Sequence, residues 1–232
     1  MPPVPRVDSA AAGTRGRTAR LTHALRDYGP RAAAGLPGVI CRGPARGDDG
    51  TPIAYLTFDD GPDPAGTPLL LDALARHGAA ATFFLLGARA ALDPAMARAI
   101  ADAGHGVGSH GWEHVAGWRG TGSAQNMERG ATALEDLLCL AVADVRPPYG
   151  QLAPALYRWA RTSGRRIVLW DTMPGDFVPG VAPEVLARHV TRRLRPGSIV
   201  ALHDGDPAGR ASATLDIALP ALVDAGWRFL AI

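Results

Sequence analysis

From Ile53 to the C-terminus, short apolar runs alternate with longer amphipathic stretches. Seven runs have the length of strands: Ile53–Phe58, Ala81–Leu86, Gly106–Ser109, Val142–Val145, Ile167–Trp170, Ser198–Leu202 and Trp227–Ile232. Between most of them, apolar residues recur at helical spacing. Thr67–His77 carries Leu70, Leu71 and Leu74 and stops before Gly78, while Pro94–Ala103 opens on Pro and stops before Gly104. Gln125–Leu138, Pro154–Ser163, Pro183–Arg195 and Ala213–Ala225 repeat the pattern. Strands alternating with helices predict an α/β fold on a mostly parallel sheet. Periodicity alone leaves a barrel and a doubly wound sheet equally open.

The first fifty residues read differently. Residues 1–20 are rich in Pro, Ala, Gly and Arg without an apolar period, which predicts a partly disordered arm. Residues 20–34 suit a short helix stopped near Gly29-Pro30, and 42–51 form a loop by composition. The expected organisation is therefore an arm and loop over 1–50 and one catalytic domain over 51–232. A chain of 232 residues is long enough for a single full core.

Composition narrows the function. The net charge of +2 comes from Arg alone, because the chain has no Lys, and the Arg residues are spread rather than clustered. That excludes a phosphate-tracking nucleic-acid surface. No apolar run reaches membrane-spanning length, and residues 1–29 hold no signal-peptide core. As it stands the chain predicts a cytoplasmic monomer, or a secreted one if an export signal was removed or lies outside it. Cys41 and Cys139 belong to no metal-spaced motif and read as two free thiols.

The chemistry gathers where the strands end. The first strand runs into Asp59-Asp60, the third into His110, the fourth into Arg146, the fifth into Asp171 and the sixth into His203-Asp204. In parallel α/β folds the carboxyl ends of the strands share one face, where sites are built. His110 and His114, four apart in a helix or tight turn, suit two imidazoles on one zinc ion. Alone, that pair is more often a surface or core pair. Asp59-Asp60-Gly61 alone is a turn signal. Two adjacent carboxylates after a buried strand nevertheless repel unless a cation or an Arg compensates them.

Thr57-Phe58-Asp59-Asp60-Gly61, His110-Gly111-Trp112-Glu113-His114, Arg146-Pro147-Pro148-Tyr149 and Leu202-His203 resemble, in order, the motifs of the polysaccharide deacetylase family, the NodB homology domain of carbohydrate esterase family four. The flanks at 81–87, 103–110 and 199–205 resemble it too, so the likeness spans roughly 53–232. It implies a distorted (β/α)7 barrel and one divalent ion, zinc foremost, with cobalt or nickel as substitutes. It implies Asp60, His110 and His114 as metal ligands and Asp59 as the general base. It further implies Arg146 as the partner of Asp59, Tyr149 as an oxyanion donor through its N–H, and His203 as the general acid supported by Asp176. Leu202 is expected to line an acyl pocket, with Phe177 and Trp170 on the substrate side.

Three positions depart from the family pattern. Met173 stands where the fourth motif usually has Asp, and Phe177 where it usually has Trp. Gly111 stands where Ser or Thr is common. Trp112, Trp118 and Trp159 are expected to pack rather than stack on sugars. His105 reads as a packing residue, and His23, His77 and His189 as surface histidines. The implied activity is removal of an N-acetyl group from an amino-sugar glycan or oligosaccharide. A small-molecule amide or cyclic-amide hydrolase on the same barrel, and a non-catalytic glycan-binding relic, remain as alternatives.

Overall fold

The computed structural model describes residues 33–116, 122–205 and 209–232. The expected arm at 1–20, most of the expected helix at 20–34, His23 and Trp118 lie outside them. The elements run β1 (Val39–Ile40), β2 (Ile53–Asp59), α1 (Gly66–Arg76), β3 (Ala81–Leu85), α2 (Gly87–Leu92), α3 (Pro94–Asp102), β4 (Gly106–Ser109), α4 (Gly122–Leu138), β5 (Asp144–Val145), α5 (Pro154–Ser163), β6 (Arg166–Val168), α6 (Pro183–Arg193), β7 (Ile199–His203), α7 (Arg210–Asp224) and β8 (Arg228–Phe229). A 3-10 turn at Pro148–Gly150 follows β5. All seven expected strands form. The eighth, β1, is two residues long and too short to carry a period. The six-residue α2 escapes notice for the same reason.

Every strand pairing is parallel, in the order β1-β6-β5-β4-β3-β2-β7, with β8 added beside the start of β2. The sheet curls until its far edge meets the chain that continues from β6. Thr172 bridges Val200 in parallel, and the Ala201 N–H donates to the Thr172 carbonyl at 2.9 Å. The Asp171 carboxylate completes this seam, accepting from the Ile199 N–H and the Ser198 hydroxyl, each at 3.0 Å. The result is a distorted (β/α)7 barrel.

Strand alternation sorts the core into two layers. On β2, Ala54, Leu56 and Phe58 face outward and pack with Leu70, Leu74, Leu215 and Leu219 from the helices. Ile53 and Tyr55 face inward, toward Val145, Val168, Ile199 and Ala201. Burial on both faces explains why the strands read as nearly continuous apolar runs. Towards the carboxyl end the inward positions turn polar, with Thr57 and Asp59.

The seam gives the first prediction. Asp171→Ala leaves a buried N–H and a buried hydroxyl without their acceptor, at about 1–3 kcal/mol for each such loss. Thermal unfolding should show Tm falling by several degrees, at about 2–4 °C per kcal/mol for a domain of this size. An unchanged Tm would show that the seam closes without it.

Candidate active site

Asp60 directly follows β2 and has φ +76°, a left-handed backbone that Asp tolerates better than most residues. Its Oδ1 lies 3.5 Å from His110 Nε2 and 3.5 Å from His114 Nε2. That Oδ1 is buried and has no hydrogen-bond partner among the described residues. An orphaned carboxylate oxygen facing two imidazole nitrogens is costly unless a cation sits among them. Ligand atoms 2.0–2.1 Å from a common ion stand about 3.4 Å apart at a tetrahedral angle, close to the spacing observed. The three side chains therefore fit a divalent ion.

His110 is prepared for that task. It follows β4, is buried, and its Nδ1 lies 2.7 Å from the Arg146 carbonyl. Donating there leaves Nε2 with its lone pair aimed at Asp60. Burial lowers its pKa against the opposing pull of Asp59 and Asp60, the direction that favours a free lone pair on the ring. His114 sits in a bent segment after β4, not in a helix. Its ring meets Tyr149 edge-on at 4.5 Å.

Behind the ligands lies a buried ion pair. Arg146, fully buried, donates from Nη1 to Asp59 Oδ1 at 2.7 Å and to the Thr57 hydroxyl at 2.8 Å. Its Nε and Nη2 donate to the Val168 and Leu169 carbonyls at 3.0 and 3.1 Å. Burial alone would raise the Asp59 pKa. The Arg146 guanidinium, with the His110 and His203 rings, reverses that and holds the carboxyl below its ordinary value.

His203 ends β7 directly beside Asp59, its register partner on β2. Asp176 reaches it twice, accepting from the His203 N–H at 2.7 Å and pairing with Nδ1 at 3.0 Å. Burial would lower the His203 pKa, but the Asp176 carboxylate outweighs it, with Asp59 and Asp60 adding to the effect, and the value rises to about 9. Phe177 stands edge-on to the His203 ring at 4.8 Å and is 41% exposed. A cleft of about 340 Å3 opens here, lined by Asp60, Asp176, Phe177, His203, Arg89 and Arg210.

Other expectations resolve differently. Leu202 does not line the site: it is fully buried in the outer layer, because alternation turns it away from the face that carries His203. The β7 residue on the His203 face is Ala201, in the inner layer. Asp171 joins the barrel seam instead of the site. Trp170 is buried, its ring 5.6 Å from the Arg146 guanidinium, so it backs the site from beneath rather than presenting a surface to substrate. Met173 is buried in the inner layer. Tyr149 has φ +60° and an exposed side chain, beside the ligands.

The sequence reading placed Thr57 in a motif without giving it a role, and missed Arg89 and Arg210. Thr57 alternates with Asp59 on one face of β2, a signal that strand periodicity could have supplied. Arg89 Nη1 donates to the Asp60 carbonyl at 3.0 Å, a contact made by the undetected α2.

A family model for polysaccharide deacetylases matches residues 46–168. A peptidoglycan-N-acetylglucosamine deacetylase of Bacillus cereus is 34% identical over 187 residues, 78% of this chain and 86% of that protein. A chitooligosaccharide deacetylase of Sinorhizobium fredii is 34% identical over 197 residues, 78% of this chain and 91% of that one. Among solved structures, a peptidoglycan N-acetylglucosamine deacetylase in complex with a naphthyl-substituted N-hydroxybenzamide aligns with a TM-score of 0.79 at 30% identity. That alignment covers 88% of this chain and 94% of the other. Family and relatives together define a hydrolase of carbon–nitrogen bonds other than peptide bonds. The chain belongs to the polysaccharide deacetylase family.

The His203–Asp176 pair gives the second prediction. In metal-free protein, NMR titration of the His203 ring should show a midpoint near 9. Asp176→Asn should bring it well down, since only the weaker pull of Asp59 and Asp60 then opposes burial. Because the folded value is raised, the pair's contribution to stability is complete below pH 6.5 and is lost as pH rises through about 9. A midpoint that Asp176→Asn does not move would show that Asp176 leaves the proton on His203 unaffected.

Proposed function

We propose that this chain removes the N-acetyl group from N-acetylglucosamine units of a glycan or oligosaccharide, with Asp59 as general base and His203 as general acid. The observation that carries the reading is the opposite charging of two register neighbours. Asp59 is held as the carboxylate by Arg146, and His203 is held protonated by Asp176. Titratable pairs pushed in opposite directions mark the base and acid of a site. Both relatives described above are named for deacetylating glucosamine-type units, which favours a glycan over a small amide.

Asp60, His110 and His114 would hold the ion, zinc foremost. A divalent ion bound there supplies Lewis acidity, lowering the pKa of water and polarising the acyl carbonyl. Asp59 takes the proton of the attacking water as the acyl carbon becomes tetrahedral. Its charge has no other proton to hold, because Arg146 keeps it ionised. The developing oxyanion is assigned to the Tyr149 backbone N–H, which needs no reorganisation if the turn holds it in place. An amine is a poor leaving group, so collapse needs a proton on nitrogen. His203 delivers it, and Asp176 stabilises the ring until transfer. Phe177 offers an apolar wall beside His203 for the sugar.

Two measurements test this. Chelation should abolish release of acetate and free amine from chitooligosaccharides or peptidoglycan fragments, and zinc or cobalt should restore it, with about one ion per chain by elemental analysis. Activity that survives complete metal removal would sink the mechanism. A small acylamide turned over in preference to every glycan would instead overturn the substrate.

Variants separate the roles. Asp59→Asn should keep the metal while kcat falls by about 10²–10⁴, the scale of one acid–base group. His203→Ala should do likewise on amides and less on activated aryl esters, whose leaving groups hardly need protonation. His110→Ala should lose the metal. If Asp59→Asn loses it as well, the two aspartates have been assigned the wrong way round.

A further inference from the structure

Two of the three residues assigned to the ion hold their positions through the barrel. Asp60 directly follows β2, and His110 directly follows β4 with its ring fixed on the Arg146 carbonyl. His114 has no such support. It lies in a segment, Gly111–Ala116, that forms neither helix nor strand, and its side chain is 30% exposed. Something else must hold it, because a ligand free to swing costs binding energy each time it is ordered.

The structure shows what does so. The Asn126 side chain, on α4, closes a double hydrogen bond on the backbone of Glu113. Its Nδ2 donates to the Glu113 carbonyl at 2.9 Å, and its Oδ1 accepts from the Glu113 N–H at 3.0 Å. The Asn126 backbone carbonyl also accepts from the Trp112 N–H at 2.9 Å. Three bonds from one residue thus fix the three successive peptide units that lead from Gly111 to His114. From the other side, the Gly87 and Ala88 N–H groups of α2 donate to the Gly111 and Trp112 carbonyls at 2.9 and 3.0 Å. The Trp112 ring is capped by the Arg129 guanidinium at 3.8 Å.

Two glycines make room for this clamp. A Cβ on Gly130 would come within 2.2 Å of the Gly111 backbone, so α4 can approach the segment only without one. A Cβ on Gly111, which has φ +92°, would come within 2.4 Å of Asn126 Nδ2. The space over Gly111 is filled by the Asn126 amide.

We infer that Asn126 is a positioning residue for the metal centre, acting through the Glu113 backbone to pre-set His114 toward the ion that Asp60 and His110 share. The inference rests on the reading of Asp60, His110 and His114 as ligands. Asn126 touches neither ion nor substrate. Its contribution is to settle the orientation of the most exposed ligand before the ion arrives, so that binding does not have to order the segment.

The test is zinc affinity, measured on purified apo-protein by competition with a chromophoric chelator, together with the visible spectrum of the cobalt-loaded form. Asn126→Ala should weaken zinc binding by about 10–100-fold, the usual effect of losing a group that orients a ligand. The cobalt spectrum should change in shape, because His114 no longer takes one orientation. Asn126→Asp keeps the acceptor for the Glu113 N–H but sets a carboxylate oxygen against the Glu113 carbonyl, so it should bind more weakly than wild type. If Asn126→Ala fails to fold, Asn126→Asp decides alone, and wild-type affinity in it overturns the inference. A lower Tm with unchanged affinity and spectrum would also overturn it, showing that Asn126 only stabilises the fold. His114→Ala is titrated alongside. If it binds zinc as wild type does, the ligand assignment itself has failed. If it loses zinc while Asn126→Ala keeps wild-type affinity, only the clamp is refuted.

Discussion

The site depends on one buried ion pair. Arg146 spends four of its N–H donors inside the barrel, on Asp59, Thr57 and the two carbonyls at the end of β6. Its ring neighbours Phe84 and Trp170 stand 4.1 and 5.6 Å away and exclude water. A charge buried this completely is tolerable only when paired and fully hydrogen-bonded. Meeting that condition draws the ends of β2, β5 and β6 to one point. The same residue then offers its carbonyl to His110 Nδ1, so Asp59 and His110 are oriented by opposite ends of one amino acid.

From that anchor the electrostatics divide cleanly. Asp59 faces Arg146 and stays ionised, while Asp60, its chain neighbour, turns through a left-handed backbone and faces the two imidazoles. Adjacent carboxylates that would otherwise repel are thereby given opposite surroundings. His203, across one strand pairing, is charged by Asp176 from a segment that follows β6. The barrel contributes strand ends that meet in register. The loops after β4, β5 and β6 contribute His114, Tyr149 and Asp176, which are held by local contacts instead of a ladder.

This division separates rigid from adjustable parts. Asp59, Asp60, His110, Arg146 and His203 sit at or just past strand ends, where the ladder limits movement. Phe177, Arg89 and Arg210 line the cleft from outside the ladder, and Phe177 stands where an indole is usual in the family.

How much of this was legible in the sequence follows from range. The seven strands and six of the helices were readable because burial imposes a period of two or of 3.6 on their own residues. The gathering of Asp59, Asp60, His110 and His203 at one face was readable because parallel strands share one end, whereas the roles expected of them and of His114 came from the family resemblance of their motifs. Strand β1 and helix α2 are too short to show a period. The burial of Leu202 in the outer layer depended on strand alternation relative to His203, and the role of Asp171 in the seam depended on how far the sheet curls. Asn126 lies twelve residues from His114 with nothing between them to signal contact. The sequence by itself determined which elements form and which chemical groups arrive at the barrel's mouth, because those are local properties of the chain. The resemblance supplied the pairing of Asp59 with Arg146 and of His203 with Asp176; only the tertiary structure decided how Asp171 closes the seam, where Leu202 is buried and which contacts hold the His114 segment, because these depend on distances between residues remote in sequence.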